Sequence, residues 1–483
     1  LHSIFSLSNF NFFQMKKLSL QITLAFQSLG EALRGHERDY TTGSIRKAIF
    51  FLSVPMVFEM IMESLFAVVD VFFVSRVSVN AVATVGLTES VLMIIYSLAV
   101  GFSMAVTAIV ARRVGEKRFK RAGDAAFQSI ALSLVIGVVL GVTGFIYAED
   151  VLRLMGGDEA LIREGSSYTK IMYAGNLSII LLFVNNAIFR GAGDAALAMR
   201  TLWVANGLNI VLDPIFIFGL GPIPAMGVAG AAVATTIGRS VGVGYQFYHL
   251  VKGTGIIKIA KANIVWRTKT ILEFIKVSAG GIGQFLVESA SWIFLVRIIS
   301  NFGAEALAGY TIAFRIIMFT LLPSWGMANA AATLVGQNLG AREPGRAEAS
   351  VWQSAKYNAF FLVGVSVLFG VLANPILGIF TDDAAVMSVG RSGLQIICLG
   401  YIFFAYGMVV GQAFNGAGDT RTPLYISLVI FWLIQIPLSY WWAVSLGWGA
   451  NGVFFCIAFC HSLYAIVAVV LFRRGKWKMV EVG

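Results

Sequence analysis

Gly191-Ala192-Gly193-Asp194 recurs 225 positions later as Gly416-Ala417-Gly418-Asp419, and that repetition decides how the whole chain is read. The same shift sets Glu63-Ser64 on Glu288-Ser289, Ala81 on Ala306 and Gly115 on Gly340. Towards the ends it relaxes to 222, matching Gly227 and Gly230 to Gly449 and Gly452. One offset held over about 165 residues makes the chain two copies of one unit.

Composition says what the unit is. Of 483 residues, 58% are hydrophobic and 13% charged, against roughly 45–50% and about 25% in soluble domains. That excludes a soluble enzyme and a disordered chain. Apolar runs fall near 48–74, 82–110, 125–148, 168–189, 201–219 and 228–249, then near 271–299, 307–335, 353–380, 392–414, 422–445 and 450–472. Each is close to the ~20 residues that cross a bilayer. The expectation is an all-α membrane protein of twelve transmembrane helices in two six-helix bundles. Because six is even, both copies cross in the same direction, related by a pseudo-two-fold axis along the membrane normal. Parallel repeats of this kind place a binding site between the halves. The domain reading is a tail over 1–44, a lobe over 45–250, a linker over 251–270, a lobe over 271–474 and a tail over 475–483.

Charge sets the orientation. The odd gaps between spans hold only Arg76, Arg153, Arg163 and Arg391, whereas most of the 36 Lys and Arg lie in the even gaps and the tails. Both termini are therefore expected in the cytoplasm, on a multi-pass protein of the inner (plasma) membrane. The net charge of +11 is spread along one membrane surface, which does not suit nucleic acid. Arg315 is read as the basic residue deep inside a span. Met15-Lys16-Lys17 imitates the start of a signal peptide, but no cleavage site follows, so it is read as part of a cytoplasmic tail lying partly on the membrane surface. Cys398, Cys456 and Cys460 fall in apolar segments and imply no disulfide framework.

The acids inside the spans carry the functional argument. A charge at the bilayer centre costs roughly 2.5–3.5 kcal/mol even on the lower scale, so Glu59, Glu63, Asp70, Glu89, Asp213 and Glu288 must face a cavity, pair, or hold protons. Glu59, Glu63 and Asp70 share one stripe of the first helix, which should line an interior. The repeat pairs Asp70 with Leu295 and, where the shift is already relaxing and stands at 223, Asp213 with Ile436, leaving two aspartates unmatched in the first half. Both lie about six residues from the outer end of a span, roughly 9 Å deep at 1.5 Å per residue. A facing pair at equal depth cannot easily stay doubly ionised, which suits a proton or Na⁺ exchange site. Asn209, one turn before Asp213, lies on the same face. Glu63 and Glu288 occupy equivalent positions, which also fits a scaffold role. Glu89 and Arg315, at similar depth on repeat-partner helices, are a candidate ion pair between the halves in one conformation. Pro55 frees a carbonyl in the first helix and permits a kink, so it is read either as a moving hinge or as a proline merely tolerated there.

Other signals are weaker. Gly-x-Gly-Asp resembles a motif of intramembrane aspartyl proteases, but both copies sit at helix ends beside Arg190, Arg200 and Arg421, where a capped turn is the better reading. The sequence has no H-E-x-x-H and no G-x-x-x-x-G-K-[ST], so neither a zinc protease nor an ATP motor is expected. No cofactor is expected, and energy is left to an ion gradient or to a partner.

Val54-Pro55-Met56, Val69-Asp70, Asn209-Ile210-Val211-Leu212-Asp213-Pro214, Gly227-Val228-Ala229-Gly230-Ala231-Ala232-Val233-Ala234-Thr235 and the paired Gly-x-Gly-Asp turns resemble the multidrug and toxic compound extrusion (MATE) transporters, most closely their DinF-like branch. The likeness covers about residues 43–474. It implies a cation-coupling cluster of Asp70, Asn209, Asp213 and Thr235, with possible Na⁺ held at Asp70 and Asp213, and a bend of helix 1 at Pro55. It also implies export of amphipathic, often cationic and aromatic compounds in exchange for H⁺ or Na⁺. Glu288 resembles the helix 7 glutamate of the NorM-like branch, and Glu63 stands where a neutral polar residue is expected. The expected protein is a monomeric antiporter in contact with membrane lipid, acting on a small-molecule substrate. The alternative is a flippase for a lipid-linked precursor, which calls for a strongly cationic cavity.

Overall fold

The computed structural model describes residues 23–24, 26–35, 39–253 and 255–482. The Met15-Lys16-Lys17 segment lies outside the described residues. The chain forms α1 (Ile45–Val74), α2 (Val79–Gly115), α3 (Phe119–Ile146), α4 (Glu159–Ala192), α5 (Ala195–Phe218) and α6 (Val228–Lys252) in a first lobe. A second lobe holds α7 (Thr268–Ile299), α8 (Ala304–Gly340), α9 (Pro344–Leu377), α10 (Ala384–Leu399 and Tyr401–Ala417, meeting at 59°), α11 (Arg421–Ser445) and α12 (Ala450–Arg473). Among the described residues nine of these, and α10 when its segments are joined, are long and apolar enough to cross a membrane. The remaining two, α1 and α6, both pack on α5 and complete the bundle.

The helices run further than the apolar runs alone suggest. The third begins at Phe119 and the fourth at Glu159, because polar turns remain helical where they leave the membrane. The repeated Gly-Ala-Gly-Asp ends α4 and α10 in the same way. Gly193 at φ 91° and Gly418 at φ 88° take the left-handed conformation that lacks a Cβ penalty. Asp194 then accepts from the Leu197 amide at 3.1 Å, and Asp419 from the Thr422 amide at 3.3 Å. These are capped turns. The offset falls by three at α6 because the connection 446–449 is five residues shorter than 219–227, while α11 ends two residues beyond the image of α5.

An even number of helices puts both described ends of the lobed region on one face, called here the terminal face. The lobes meet through α1 and α2 against α7 and α8. A Cβ on Gly101 would lie 2.2 Å from the Ile282 nitrogen, one on Gly115 1.9 Å from the Gln337 oxygen, and one on Gly340 2.1 Å from the Arg112 oxygen. Backbone touches backbone there, as small residues allow in lipid. These contacts lie between mid-depth and the terminal face. Towards the far face, Glu89 on α2 and Arg315 on α8 are both exposed. The seam is thus shut at the terminal face.

Candidate functional site

Two adjoining features occupy the molecule's interior. The first is a buried polar cluster inside the first lobe, where α1, α5 and α6 meet. Asp213 is fully buried, and Asn209, Thr235 and Asp70 are buried around it. Asn209 sits one helical turn before Asp213 on α5, so its Nδ2 can serve two acceptors, donating to Asp213 Oδ1 at 3.3 Å and to Thr235 Oγ1 at 3.0 Å. Gly238 lets α6 approach close enough for this, because a Cβ there would lie 2.5 Å from the Ala205 carbonyl oxygen. Asp70 of α1 lies within electrostatic range of Asp213. Asp213 Oδ2 and Asn209 Oδ1 are buried with no partner among the described residues. Buried oxygens left unsatisfied call for a water, a proton or an ion, and an all-oxygen set suits a proton or a hard cation such as Na⁺.

The second feature is a cavity of about 310 Å³ between the lobes, lined by Glu59, Glu63, Tyr96, Arg190 and Arg239 among apolar side chains. It adjoins one of about 200 Å³ in the second lobe, walled by Glu288, Trp292, Phe404, Phe431 and His461. Met104, Phe285, Leu322, Trp325 and Gln412 line both. The acidic stripe of α1 therefore divides. Glu59 and Glu63 face the cavity, while Asp70 belongs to the polar cluster. Glu59 is bound by Arg190 Nη1 at 3.1 Å and Asn186 Nδ2 at 3.2 Å. Glu63 accepts from Asn206 Nδ2 at 2.8 Å, and Glu288 accepts from Ser427 Oγ at 2.9 Å and Gln284 Nε2 at 3.2 Å.

Glu89 and Arg315 lie within electrostatic range but form no ion pair in this conformation, since the seam between their helices is not closed there. Pro55 does not break α1, which runs unbroken from Ile45 to Val74. Its neighbour Met56 reaches the second lobe, because a Cβ on Gly326 would lie 2.6 Å from the Met56 oxygen.

One reading needs correcting. Arg315 is not the one basic residue deep in a span: Arg239, eleven residues into α6, is buried and lines the cavity. A charge count made span by span finds it. The pairing of Arg190 with Glu59 joins two helices across 131 residues, and no sequence signal shows it.

Over about nine-tenths of its length the chain is similar to known transporters. The MatE family profile matches residues 55–215 and again 282–441. A Thermotoga maritima protein described as "Probable multidrug resistance protein NorM" is 28% identical over 439 residues, 90% of this chain and 93% of that one. A crystal structure of a MATE transporter in the straight conformation superposes with a TM-score of 0.86 at 28% identity, covering 91% of this chain and 98% of that one. An outward-facing multidrug resistance MATE transporter gives 0.85 at 28%, covering 91% and 98%.

Proposed function

Because the chain belongs to the MatE family of multi-pass membrane transporters, we propose that it is a secondary antiporter exporting amphipathic, cationic or aromatic small molecules in exchange for H⁺ or Na⁺. The observation that carries this reading is the pair of unpartnered buried oxygens, Asp213 Oδ2 and Asn209 Oδ1, beside Thr235 and Asp70. A site that gains and loses a small cation leaves such oxygens without a partner in the chain. Substrate and cation occupy different compartments, and α1 lines both, since Glu59 and Glu63 face the cavity while Asp70 faces the cluster.

Cation entry changes the charge that Asp70 meets and so the position of the outer half of α1. Pro55 leaves the Phe51 carbonyl without its helical donor, a weak point at which that half can bend. Since Met56 touches Gly326 of the second lobe, a bend there loosens the seam, and the lobes 45–250 and 271–474 rock about the cavity. The basic terminal face is assigned to the cytoplasm of a plasma-membrane protein, so the conformation described opens outward. The monomer suffices for this cycle. The flippase reading is disfavoured, because the cavity wall sets Glu59 and Glu63 against Arg190 and Arg239 and offers no net positive cradle for a pyrophosphate.

The test is efflux of a fluorescent amphipathic cation from proteoliposomes under an imposed pH step or Na⁺ step. Asp213→Asn and Asp70→Asn are expected to abolish gradient-driven efflux. Wild-type-like efflux by either variant overturns the site assignment.

A further inference from the structure

We propose that the cavity takes zwitterionic substrates, with Arg239 holding the substrate's carboxylate and Glu63 its cationic group. The proposal rests on the exporter reading above and narrows its substrate class.

Arg239 is only 5% exposed, yet it lines the cavity. Its Nη1 donates to the Tyr96 hydroxyl at 3.2 Å, and its guanidinium carbon lies 5.8 Å from the ring centres of both Phe66 and Tyr96. Among the described residues no carboxylate comes within the 4.0 Å of an ion pair. A guanidinium has five N–H donors in a planar fork, and this one spends a single donor on a neutral hydroxyl. A buried charge held this way is costly unless an anion completes it. Glu63, Asp70 and Glu89 influence it only at longer range.

The remaining charges of the wall sharpen the point. Glu59 and Arg190 neutralise each other at 3.1 Å. Glu63 has the Asn206 amide alone, with no cation in contact among the described residues. The wall therefore presents one charge of each sign with no contacting partner of opposite charge among the described residues, both facing the same space. A simple organic cation seated on Glu63 leaves Arg239 as a like charge close by, which disfavours it. A simple anion meets the converse problem. A molecule carrying both charges satisfies both residues, and a carboxylate matches the guanidinium fork in two-point geometry. Met60, Met93, Phe183, Phe285 and Trp325 form the apolar remainder, suited to an aromatic body.

Three probes of one shape separate the possibilities: Nε-dansyl-lysine, a zwitterion; its methyl ester, a cation; and its Nα-acetyl derivative, an anion. Binding to the detergent-solubilised full chain is read from dansyl fluorescence with no ion gradient present. The wild type is expected to bind the zwitterion about tenfold or more tighter than either relative, the worth of one charge-assisted hydrogen bond. Arg239→Gln should bring the zwitterion-to-ester ratio to about one, weakening the zwitterion and strengthening the ester by removing the like charge, and Glu63→Gln should do the same for the zwitterion-to-acetyl ratio. Arg239→Lys, which keeps the charge, should keep a preference for the zwitterion and guards against a folding defect in Arg239→Gln. Equal or tighter binding of the ester by the wild type, or an unchanged preference in Arg239→Gln, overturns the proposal. Gradient-driven efflux is a separate readout, so loss of antiport with the binding preference intact would count against the exporter reading alone.

Discussion

Asn415 donates a 3.3 Å hydrogen bond to Gln284 in the second lobe, and these two positions are the 225-residue images of Arg190 and Glu59. The first lobe thus holds a buried ion pair where its copy holds a neutral amide pair in the same helices. Each pair ties the same two helices together, by Coulomb attraction in one lobe and by dipoles in the other, and each leaves one buried oxygen, Glu59 Oε2 or Asn415 Oδ1, without a partner among the described residues. The duplication preserved the contact while its charge diverged, which marks the contact as scaffold.

It follows that the charge at this place is exchangeable only in pairs. Arg190→Asn alone leaves the Glu59 carboxylate, 1% exposed, without its cation, at a cost of about 3–5 kcal/mol. The double variant Glu59→Gln with Arg190→Asn reproduces the second lobe's pair and should recover most of that loss. Thermal unfolding of the solubilised protein measures it. A double variant no more stable than the worse single one would contradict the equivalence of the two pairs.

How far the sequence shows this molecule can be judged from the same residues. The duplication, the twelve apolar runs and the turns at Gly193 and Gly418 are local or periodic features, so they are readable without coordinates. Asn209 and Asp213 are one turn apart on one helix, so their shared face is readable too. The Glu59 to Arg190 contact depends on how α1 meets α4, which no spacing encodes. Arg239 was legible as an intramembrane charge, but its lack of a carboxylate partner was not. Gly115 and Gly340 stood out as repeat partners, and only the seam explains them.

Those two glycines give a second prediction. A methyl group at Gly115 would meet the Gln337 carbonyl oxygen at 1.9 Å, and one at Gly340 the Arg112 oxygen at 2.1 Å. Each obstacle is backbone, which cannot rotate away. Gly115→Ala or Gly340→Ala should therefore unseal the terminal face. A cysteine in place of Asn329, which lines the cavity, should be alkylated faster from that side, against a background of buried native cysteines. Unchanged labelling in both variants would show that the seam is not what closes this face.

Within the polar cluster, Thr235 acts through Asn209. Its Oγ1 accepts the 3.0 Å bond that holds the Asn209 amide towards Asp213. Thr235→Val keeps the shape but removes the acceptor, freeing the amide to turn. With one hydrogen bond worth about 1 kcal/mol, the cation concentration giving half-maximal efflux should rise about fivefold, with little change in maximal rate. Thr235→Ser should restore it. A fall in maximal rate without a shift in the half-maximal concentration would place Thr235 outside the cation site.

At the terminal face the segments just before α1 and just after α12 cross the seam in opposite directions. Residues 40–43, which lead into α1 of the first lobe, are held by Arg346 of the second, whose guanidinium donates to the Thr42 and Gly43 oxygens at 2.8 Å and to the Tyr40 oxygen at 3.2 Å. Residues 478–482, which follow α12 of the second lobe, are held by Arg112 of the first through the Val480 oxygen, and Val482 is buried in the first lobe's core. Each lobe thus grips the strand that leads to or from the other, and the face cannot part until both grips release. Arg346→Ala removes one grip and touches neither the cavity nor the polar cluster. It should speed alkylation of the Asn329→Cys reporter from the terminal side about fivefold, about 1 kcal/mol in the opening equilibrium. The same variant should bind substrate unchanged in detergent, where a slower or unaltered labelling rate would mean that the crossing strands ride on the lobes without restraining them.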